Sequence, residues 1–200
     1  MNSYPGPLRD EPLALELHNT LYAGRGELVD GLETADGLGA WLSAIGDRLP
    51  APARGADSSR QPEFLALRGA VRDALHSALE GTPDPEAALE VLNGFAARAP
   101  HSPVAVVGAD GQPRAETCYH SADATDVALA TLAADAIELL AGPGREHLRA
   151  CGAPGCVLMF LKEHPRRTWC SGACGNRARQ ARHYERSRSR THRRADPPHT

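Results

Sequence analysis

The feature that most restricts how this chain can fold is a set of four cysteines in its last quarter. They are Cys151, Cys156, Cys170 and Cys174, spaced as C-x4-C-x13-C-x3-C. Two close pairs separated by about a dozen residues are typical of a tetrahedral zinc site, in which each sulfur lies about 2.3 Å from the ion. Four thiolates leave no open coordination position, which favours a structural Zn²⁺ over a catalytic one. We therefore predict that these cysteines are the zinc ligands.

The residues around each pair indicate how the backbone turns toward the ion. The first pair encloses Gly152, Pro154 and Gly155, which suit a tight knuckle, and the second pair has the i, i+4 spacing of a first helical turn. Between the pairs, 157–161 and 167–169 are predicted as the two strands of a short hairpin. Knuckle, hairpin and helix in this order are typical of a treble-clef zinc finger. A redox-active dithiol pair and an iron–sulfur site are the alternatives.

The charge of the chain is divided unevenly along its length. The net charge is −3, but residues 145–200 hold 13 Lys+Arg against 4 Asp+Glu, whereas residues 1–144 hold 9 against 21. The C-terminal part therefore carries +9 and the N-terminal part −12. Such a split indicates two parts with different partners, and the basic part suits a polyanion. A solvated basic tail without a partner is the alternative.

The sequence after the last cysteine predicts a helix with arginines on two stripes. At about 100° per residue, one stripe holds Arg179, Arg182, Arg186 and Arg190, and the other holds Arg177 and Arg188 together with Tyr184. Arginines arranged in this way favour contact with nucleic-acid phosphates. We predict that all six arginines contact nucleic acid. We also expect Arg177 to offset the charge of the thiolates locally, and Asn176 to hydrogen-bond the knuckle or a thiolate.

The first two thirds of the chain have the hydrophobic periodicity of helices. Five helices are predicted, over 12–22, 34–49, 62–80, 84–98 and 121–141. The fourth begins with Asp84 as its predicted N-cap. The period changes between the last two, where 104–107 and 114–119 are predicted to form a β-hairpin. The fold class predicted is α+β: a mostly helical N-terminal domain with a small β-hairpin, followed by a treble-clef-like zinc finger.

Composition and charge divide the chain into four segments. We predict a flexible leader over 1–11, a helical domain over 12–144, a zinc finger over 145–190 and a disordered basic tail over 191–200. The boundary at 144 lies where the sequence Gly-Pro-Gly interrupts the last helical pattern and where the charge changes sign.

Several short motifs resemble two known families. Cys174-Gly175-Asn176-Arg177 spells CGNR and follows Trp169-Cys170-Ser171, and this module resembles the CGNR zinc finger. The segments LALELHNTL at 13–21 and DGLGAWL at 36–42 resemble the ABATE domain that accompanies it. Together the resemblance covers about residues 12–190. It implies a bacterial, stress-responsive transcription regulator in which the four cysteines bind zinc and the basic helix binds DNA.

The function predicted is therefore that of a zinc-finger DNA-binding protein whose N-terminal domain senses a ligand or mediates association. A zinc-stabilised module that binds RNA or protein is the alternative, and a small-molecule ligand and a homodimer remain open. An enzyme is not predicted, because His18, Asn19, His76, His101 and His120 form no recognisable catalytic spacing.

The sequence also bears on the compartment in which the protein works. It contains no apolar run of about 18 residues and begins without the pattern of a signal peptide. We therefore expect a cytoplasmic protein without a membrane partner. Cysteines stay reduced in that compartment and are free to bind metal.

The first prediction concerns the ligands. Cys151→Ser or Cys170→Ser is expected to lose zinc and to unfold the finger while leaving the N-terminal domain folded, because so small a core depends on its metal. Metal analysis of the purified variants measures this. If either variant retained a full equivalent of zinc, the ligand set would be wrong.

Overall fold

The computed structural model describes residues 4–24, 26–81 and 85–195, with side chains up to Arg186. The helices are α1 Leu13–His18, α2 Ala35–Ala44, α3 Gln61–Glu80, α4 Glu86–Ala96, α5 Ala124–Ala141 and α6 Gly172–Ala195. The strands are β1 Leu21–Ala23, β2 Leu28–Asp30, β3 His101–Val107, β4 Pro113–Tyr119, β5 Leu148–Ala150 and β6 Met159–Leu161. Consecutive strands pair as three separate antiparallel hairpins. Short 3₁₀ helices occupy Gly46–Arg48, Ala51–Ala53, Ser58–Arg60 and Pro143–His147.

The predicted fold class is confirmed: a mostly helical N-terminal part with small two-stranded sheets precedes a cysteine cluster that fits a zinc finger. The treble-clef arrangement of that finger stays a prediction.

The main core forms where helices α1, α3, α4 and α5 pack together. In the helix predicted over 62–80, Phe64, Leu67, Val71 and Leu75 form a buried apolar stripe. Helix α3 ends where Gly81 adopts φ +67°, a left-handed conformation that glycine takes without steric cost. Burial of this stripe explains why the helix is stable despite its polar outer face.

Local side chains fix where the helices begin. Thr34 accepts a hydrogen bond from the Gly37 amide and caps α2, and Asp123 accepts from the Thr125 and Asp126 amides and caps α5. Helix α5 therefore begins at Ala124 instead of at 121. The predicted cap Asp84 lies outside the described residues.

The first predicted helix is shorter than the sequence pattern indicates. Helix α1 ends at His18, and the chain enters strand β1 at Leu21. The Thr20 hydroxyl donates to the Leu17 carbonyl, and the Asn19 side chain bonds the backbone of Met159 in strand β6. These side-chain bonds end the helix. The Thr20 hydroxyl occupies the Leu17 carbonyl, which a further helical turn would use, and the Asn19 side chain is held at strand β6.

The hairpin predicted inside the finger is wrong in its pairing. Strand β6 pairs with β5, which precedes the first cysteine, and not with 167–169, which has no strand structure. The knuckle between Cys151 and Cys156 is itself the connection between the two strands. The Arg167 side chain crosses back instead and donates to the Leu161 carbonyl at 3.0 Å.

The segment predicted as a flexible leader packs on the protein over residues 4–11. Tyr4 and Glu11 are buried, and Glu16, which is fully buried, accepts hydrogen bonds from the Arg9 and Glu11 amides at 2.8 and 3.0 Å. Residues 1–3 lie outside the described part. At the other end, helix α6 continues to Ala195, into the predicted tail 191–200, whose last five residues are likewise outside the description.

The finger and the N-terminal part share one core. Leu148, Met159 and Leu161 belong to the same buried cluster as the helices. The fully buried Asn19 amide accepts from the Met159 amide at 2.9 Å and donates to its carbonyl at 3.0 Å. The Glu11 carboxylate accepts from the Leu161 amide at 2.9 Å and forms an ion pair with Arg167. Strand β6 is therefore clamped by two side chains from the start of the chain.

The part of the chain that the structure describes contains no helix with the length and apolar character needed to cross a membrane.

The two hydrogen bonds between the Asn19 side chain and Met159, which we call the Asn19 clamp, lead to a prediction about stability. Asn19→Ala leaves the Met159 amide and carbonyl without their partner in a buried place, which is expected to cost about 3 kcal/mol of unfolding free energy. Chemical denaturation followed by circular dichroism measures the loss. Asn93→Ala, at an exposed position of helix α4, is the matched control and is expected to change stability by less than about 0.5 kcal/mol. Equal stability of Asn19→Ala and the control would contradict the clamp.

His18, the neighbour of Asn19, is expected to make the free energy of unfolding depend on pH. His18 is fully buried, its Nδ1 lies 3.2 Å from Asn19 Oδ1, and its Nε2 has no hydrogen-bond partner among the described residues. The Asn19 oxygen is an acceptor, so the proton of the neutral ring belongs on Nδ1. Burial, and then the nearby Arg72 guanidinium, lower the pKa of His18 to about 3 from its usual 6.5. Arg68 and His76 also face this ring and act in the same direction.

Because the unfolded chain binds a proton at His18 that the folded chain rejects, stability is expected to fall as pH falls from about 6.5 toward 3. His18→Gln removes this proton-binding group and with it this dependence on pH. Between pH 6 and 5, the wild type is expected to lose up to about 1.4 kcal/mol per pH unit relative to His18→Gln, a comparison in which any metal loss affects both proteins. If the unfolding free energies of the two proteins changed equally with pH across this range, His18 would not be excluded from protonation in the folded state.

Candidate metal centre and basic helix

The four predicted ligands converge at one point. The Sγ atom of Cys156 lies 3.8 Å from those of Cys170 and Cys174, which are 3.4 Å from each other, and the four sulfurs of the cluster all lie within 4.8 Å of one another. In a tetrahedral site with bonds of about 2.3 Å, neighbouring sulfurs are separated by about 3.8 Å. The cluster therefore has the size and donor chemistry of a site for one Zn²⁺.

The first two ligands are positioned by the turn between strands β5 and β6. The Cys151 amide donates to the Leu158 carbonyl at 2.9 Å, and the Cys156 amide donates to the Ala153 carbonyl at 2.9 Å. Gly155 adopts φ +70°, which lets the chain reverse just before Cys156. These bonds turn both sulfurs to the same side of the knuckle.

The other two ligands are positioned by the start of helix α6. The Ser171 hydroxyl accepts from the Cys174 amide at 3.2 Å, which is the usual bond of an N-cap to the third helical residue. The Cys170 amide points at Cys151 Sγ from 3.5 Å and joins the two halves of the site. Thiolates at a helix N-terminus are stabilised by the partial positive charge there.

A small apolar cluster surrounds the sulfurs, apart from the main core. It holds the buried residues Cys151, Ala153, Leu158, Phe160, Cys170 and Cys174. Trp169 packs against it and lies so close to the helix that a Cβ at Gly175 would be 2.9 Å from Trp169 Cδ1. The glycine of the CGNR motif is therefore required by the approach of this ring.

The sulfurs influence one another's ionisation. The Cys170 thiol hydrogen-bonds to Cys156, and this bond lowers the pKa of Cys156 to about 5 and raises that of Cys170. Burial raises the pKa of Cys151. Because crowded thiolates repel one another, a divalent cation is needed before all four can be deprotonated together.

Arg177 contributes to the site from outside the ligand set. Its guanidinium donates to Cys174 Sγ at 3.3 Å. Four thiolates and one Zn²⁺ carry a formal charge of −2, so this contact offsets part of the excess. Asn176 lies differently from expectation: it is exposed, and its side-chain oxygen accepts from Arg179. Among the described hydrogen bonds, none joins the Asn176 side chain to the knuckle, because two residues beyond Cys174 the helix has turned away from the sulfurs.

The remaining predicted arginines lie along helix α6. Arg179, Arg182 and Arg186 are exposed, and Arg182 Nε donates to the Ala178 carbonyl at 3.3 Å. Arg188 and Arg190 belong to the same helix by their backbone, but their side chains are outside the description.

The packing of α6 shows how the two arginine stripes are presented. Cys174, Gly175 and Ala178 form the buried face. The stripe that begins at Arg179 and the stripe that begins at Arg177 lie roughly 160° apart, one on each side of that face. The outer face between them carries the exposed Gln180, which the sequence analysis did not single out. The seven-residue spacing of the arginines would have predicted this outer face if the buried face of the helix had been known from the sequence.

Sequence reasoning also missed the contribution of Glu11 and Arg167, which join the finger to the rest of the protein. They are separated by 156 positions and meet as an ion pair in which Glu11 is buried and Arg167 is partly exposed, with Arg167 also 4.8 Å from the Phe160 ring centroid. Nothing in the local sequence signals such a pairing.

The histidines considered as catalytic candidates lie in two places. The ring of His76, on helix α3, lies 5.7 Å from that of His18. At the base of the β3–β4 hairpin, the ring of His101 lies 5.2 Å from that of Tyr119 at a tilt of 42°, and His120 bonds Ser102.

Comparison with known families agrees with the resemblance found in the sequence. Residues 11–143 match the ABATE family, described as "Putative stress-induced transcription regulator", and residues 147–187 match the CGNR zinc finger. Both predicted resemblances are confirmed, and with them the assignment of zinc to the four cysteines. No curated protein matches the chain.

Proposed function

Because this chain belongs to the ABATE family and carries a CGNR zinc finger, we propose that it binds DNA through helix α6, which its zinc site holds in place. The observation that carries the proposal is the row of exposed arginines Arg179, Arg182 and Arg186 directly after the metal ligands. Their charges attract phosphates whatever the base sequence. In this proposal the protein is a cytoplasmic regulator and not an enzyme.

The arrangement of α6 fits a major groove. An α-helix enters that groove with phosphates on both sides, and the two arginine stripes lie on both sides of the helix. The outer face between them would then meet the base edges. Gln180 lies there with its side chain exposed, and glutamine can bond adenine through two hydrogen bonds. Arginines would supply affinity, and Gln180 would supply discrimination.

The anchoring of the finger supports a fixed direction of approach. The Glu11 and Asn19 clamps join the finger to the N-terminal part, which carries most of the acidic residues. Duplex DNA would be repelled by that part and would approach from the side of α6. The N-terminal part is then available for sensing a ligand or for association of two copies.

Binding to structured RNA or to a protein is the alternative. Treble-clef and related fingers serve many functions, so the metal site alone does not select among them. An RNA hairpin is therefore included in the binding experiment.

The proposal predicts the effect of removing two helix charges. Arg182→Gln with Arg186→Gln is expected to weaken binding to a fluorescent 30-base-pair duplex by about tenfold or more, because two phosphate contacts are lost. In a salt series, the slope of log K against log salt is expected to become shallower by about 1.8. Fluorescence anisotropy measures both quantities.

The control is Arg54→Gln with Arg114→Gln, which removes the same charge from exposed positions outside the finger and is expected to bind like the wild type. Equal loss in the control and the helix variant would show attraction to net charge only and would contradict binding through α6. Tighter binding of the RNA hairpin than of the duplex would favour the alternative.

A further inference from the structure

A cavity opens beside the metal site. Its volume is about 540 Å³, and it lies between residues 5–9, strand β1 and the start of helix α6. Cys156 and Cys174 form part of its wall. The cavity therefore opens beside two of the four cysteines.

The four cysteines differ in how well they are covered. Cys151, Cys170 and Cys174 are buried, with 4–7% of their surface exposed, whereas Cys156 is only half-buried. Among the described side chains, no guanidinium donates to Cys156, whereas Cys174 accepts from Arg177. Oxidation of a thiolate depends on its exposure, and a hydrogen bond to sulfur withdraws electron density from it. Cys156 is thus the most exposed of the four cysteines in the cluster.

We propose that Cys156 is a hydroperoxide-reactive thiolate, reached through this cavity, and that its oxidation dismantles the metal site. The inference concerns the sulfurs alone and holds whether or not helix α6 binds DNA.

The chemistry needs only a hydroperoxide as oxidant. The Cys156 thiolate attacks one peroxide oxygen; the S–O bond forms, the O–O bond breaks and hydroxide leaves, which gives a sulfenic acid. The thiolate of Cys170 or Cys174, each with its sulfur at 3.8 Å, then attacks Cys156 Sγ. The S–S bond forms, the S–O bond breaks and a second hydroxide leaves. Two thiolates have lost two electrons, and the peroxide has gained them.

Loss of two ligands leaves two thiolates, too few to hold the ion in a closed tetrahedral site. The start of helix α6 then loses the bonds that join it to the knuckle. The expected consequence is release of Zn²⁺ and loosening of the helix.

The test uses the full-length, zinc-loaded protein. Hydrogen peroxide is added, released Zn²⁺ is followed with a chromogenic chelator, and samples taken early are alkylated and mapped by peptide mass spectrometry. The first disulfide is expected to join Cys156 to Cys170 or Cys174, with zinc release at the same rate. A first disulfide without Cys156, or full retention of zinc at excess peroxide, would overturn the proposal.

A cavity variant tests the route. Ala173 lines the cavity, and Ala173→Leu is expected to keep one equivalent of zinc but to slow its release by about threefold or more, since access limits oxidation. Ala87→Leu, on the exposed face of α4, and Cys118→Ser, which removes the cysteine outside the cluster, are the controls and are expected to release zinc at the wild-type rate. Release from Ala173→Leu at the wild-type rate would contradict entry through the cavity.

Discussion

The convergence of four sulfur atoms on one cation is the constraint on which the C-terminal part of this protein depends. Thiolates at 3.4–3.8 Å repel one another, and only a cation between them makes their approach favourable. The knuckle, the Ser171 cap and the packing of Trp169 over Gly175 all serve to bring the sulfurs together. Because Cys174 lies in the first turn of helix α6, the same convergence fixes where the basic helix begins.

The metal site is not isolated from the rest of the chain. Glu11 and Asn19 bond the backbone of strand β6, and Met159 and Leu161 extend the main core. The early expectation that losing zinc would leave the N-terminal part undisturbed is therefore too simple. When strand β6 is released, Asn19 and Glu11 lose partners in buried positions, and destabilisation is expected to spread into the N-terminal part.

Sequence reasoning succeeded where a local pattern determines the structure. The cysteine spacing identified the cluster, and the hydrophobic period of α3, ending at Gly81, identified the helix because both signals lie within a few turns. It failed where distant residues decide. Strand β5 was missed because three residues carry almost no periodic signal, and its pairing with β6 depends on the knuckle between them. The ion pair between Glu11 and Arg167 has no local signature in the sequence.

The central claim is that one Zn²⁺ is held by four sulfurs and by nothing else. X-ray absorption spectroscopy at the zinc edge, on the purified full-length protein with its metal content measured, tests this most directly. We expect one zinc per chain, with four sulfur neighbours at about 2.3 Å and no nitrogen or oxygen neighbour. A shell that contains nitrogen or oxygen, or a finger that folds without metal, would contradict this coordination.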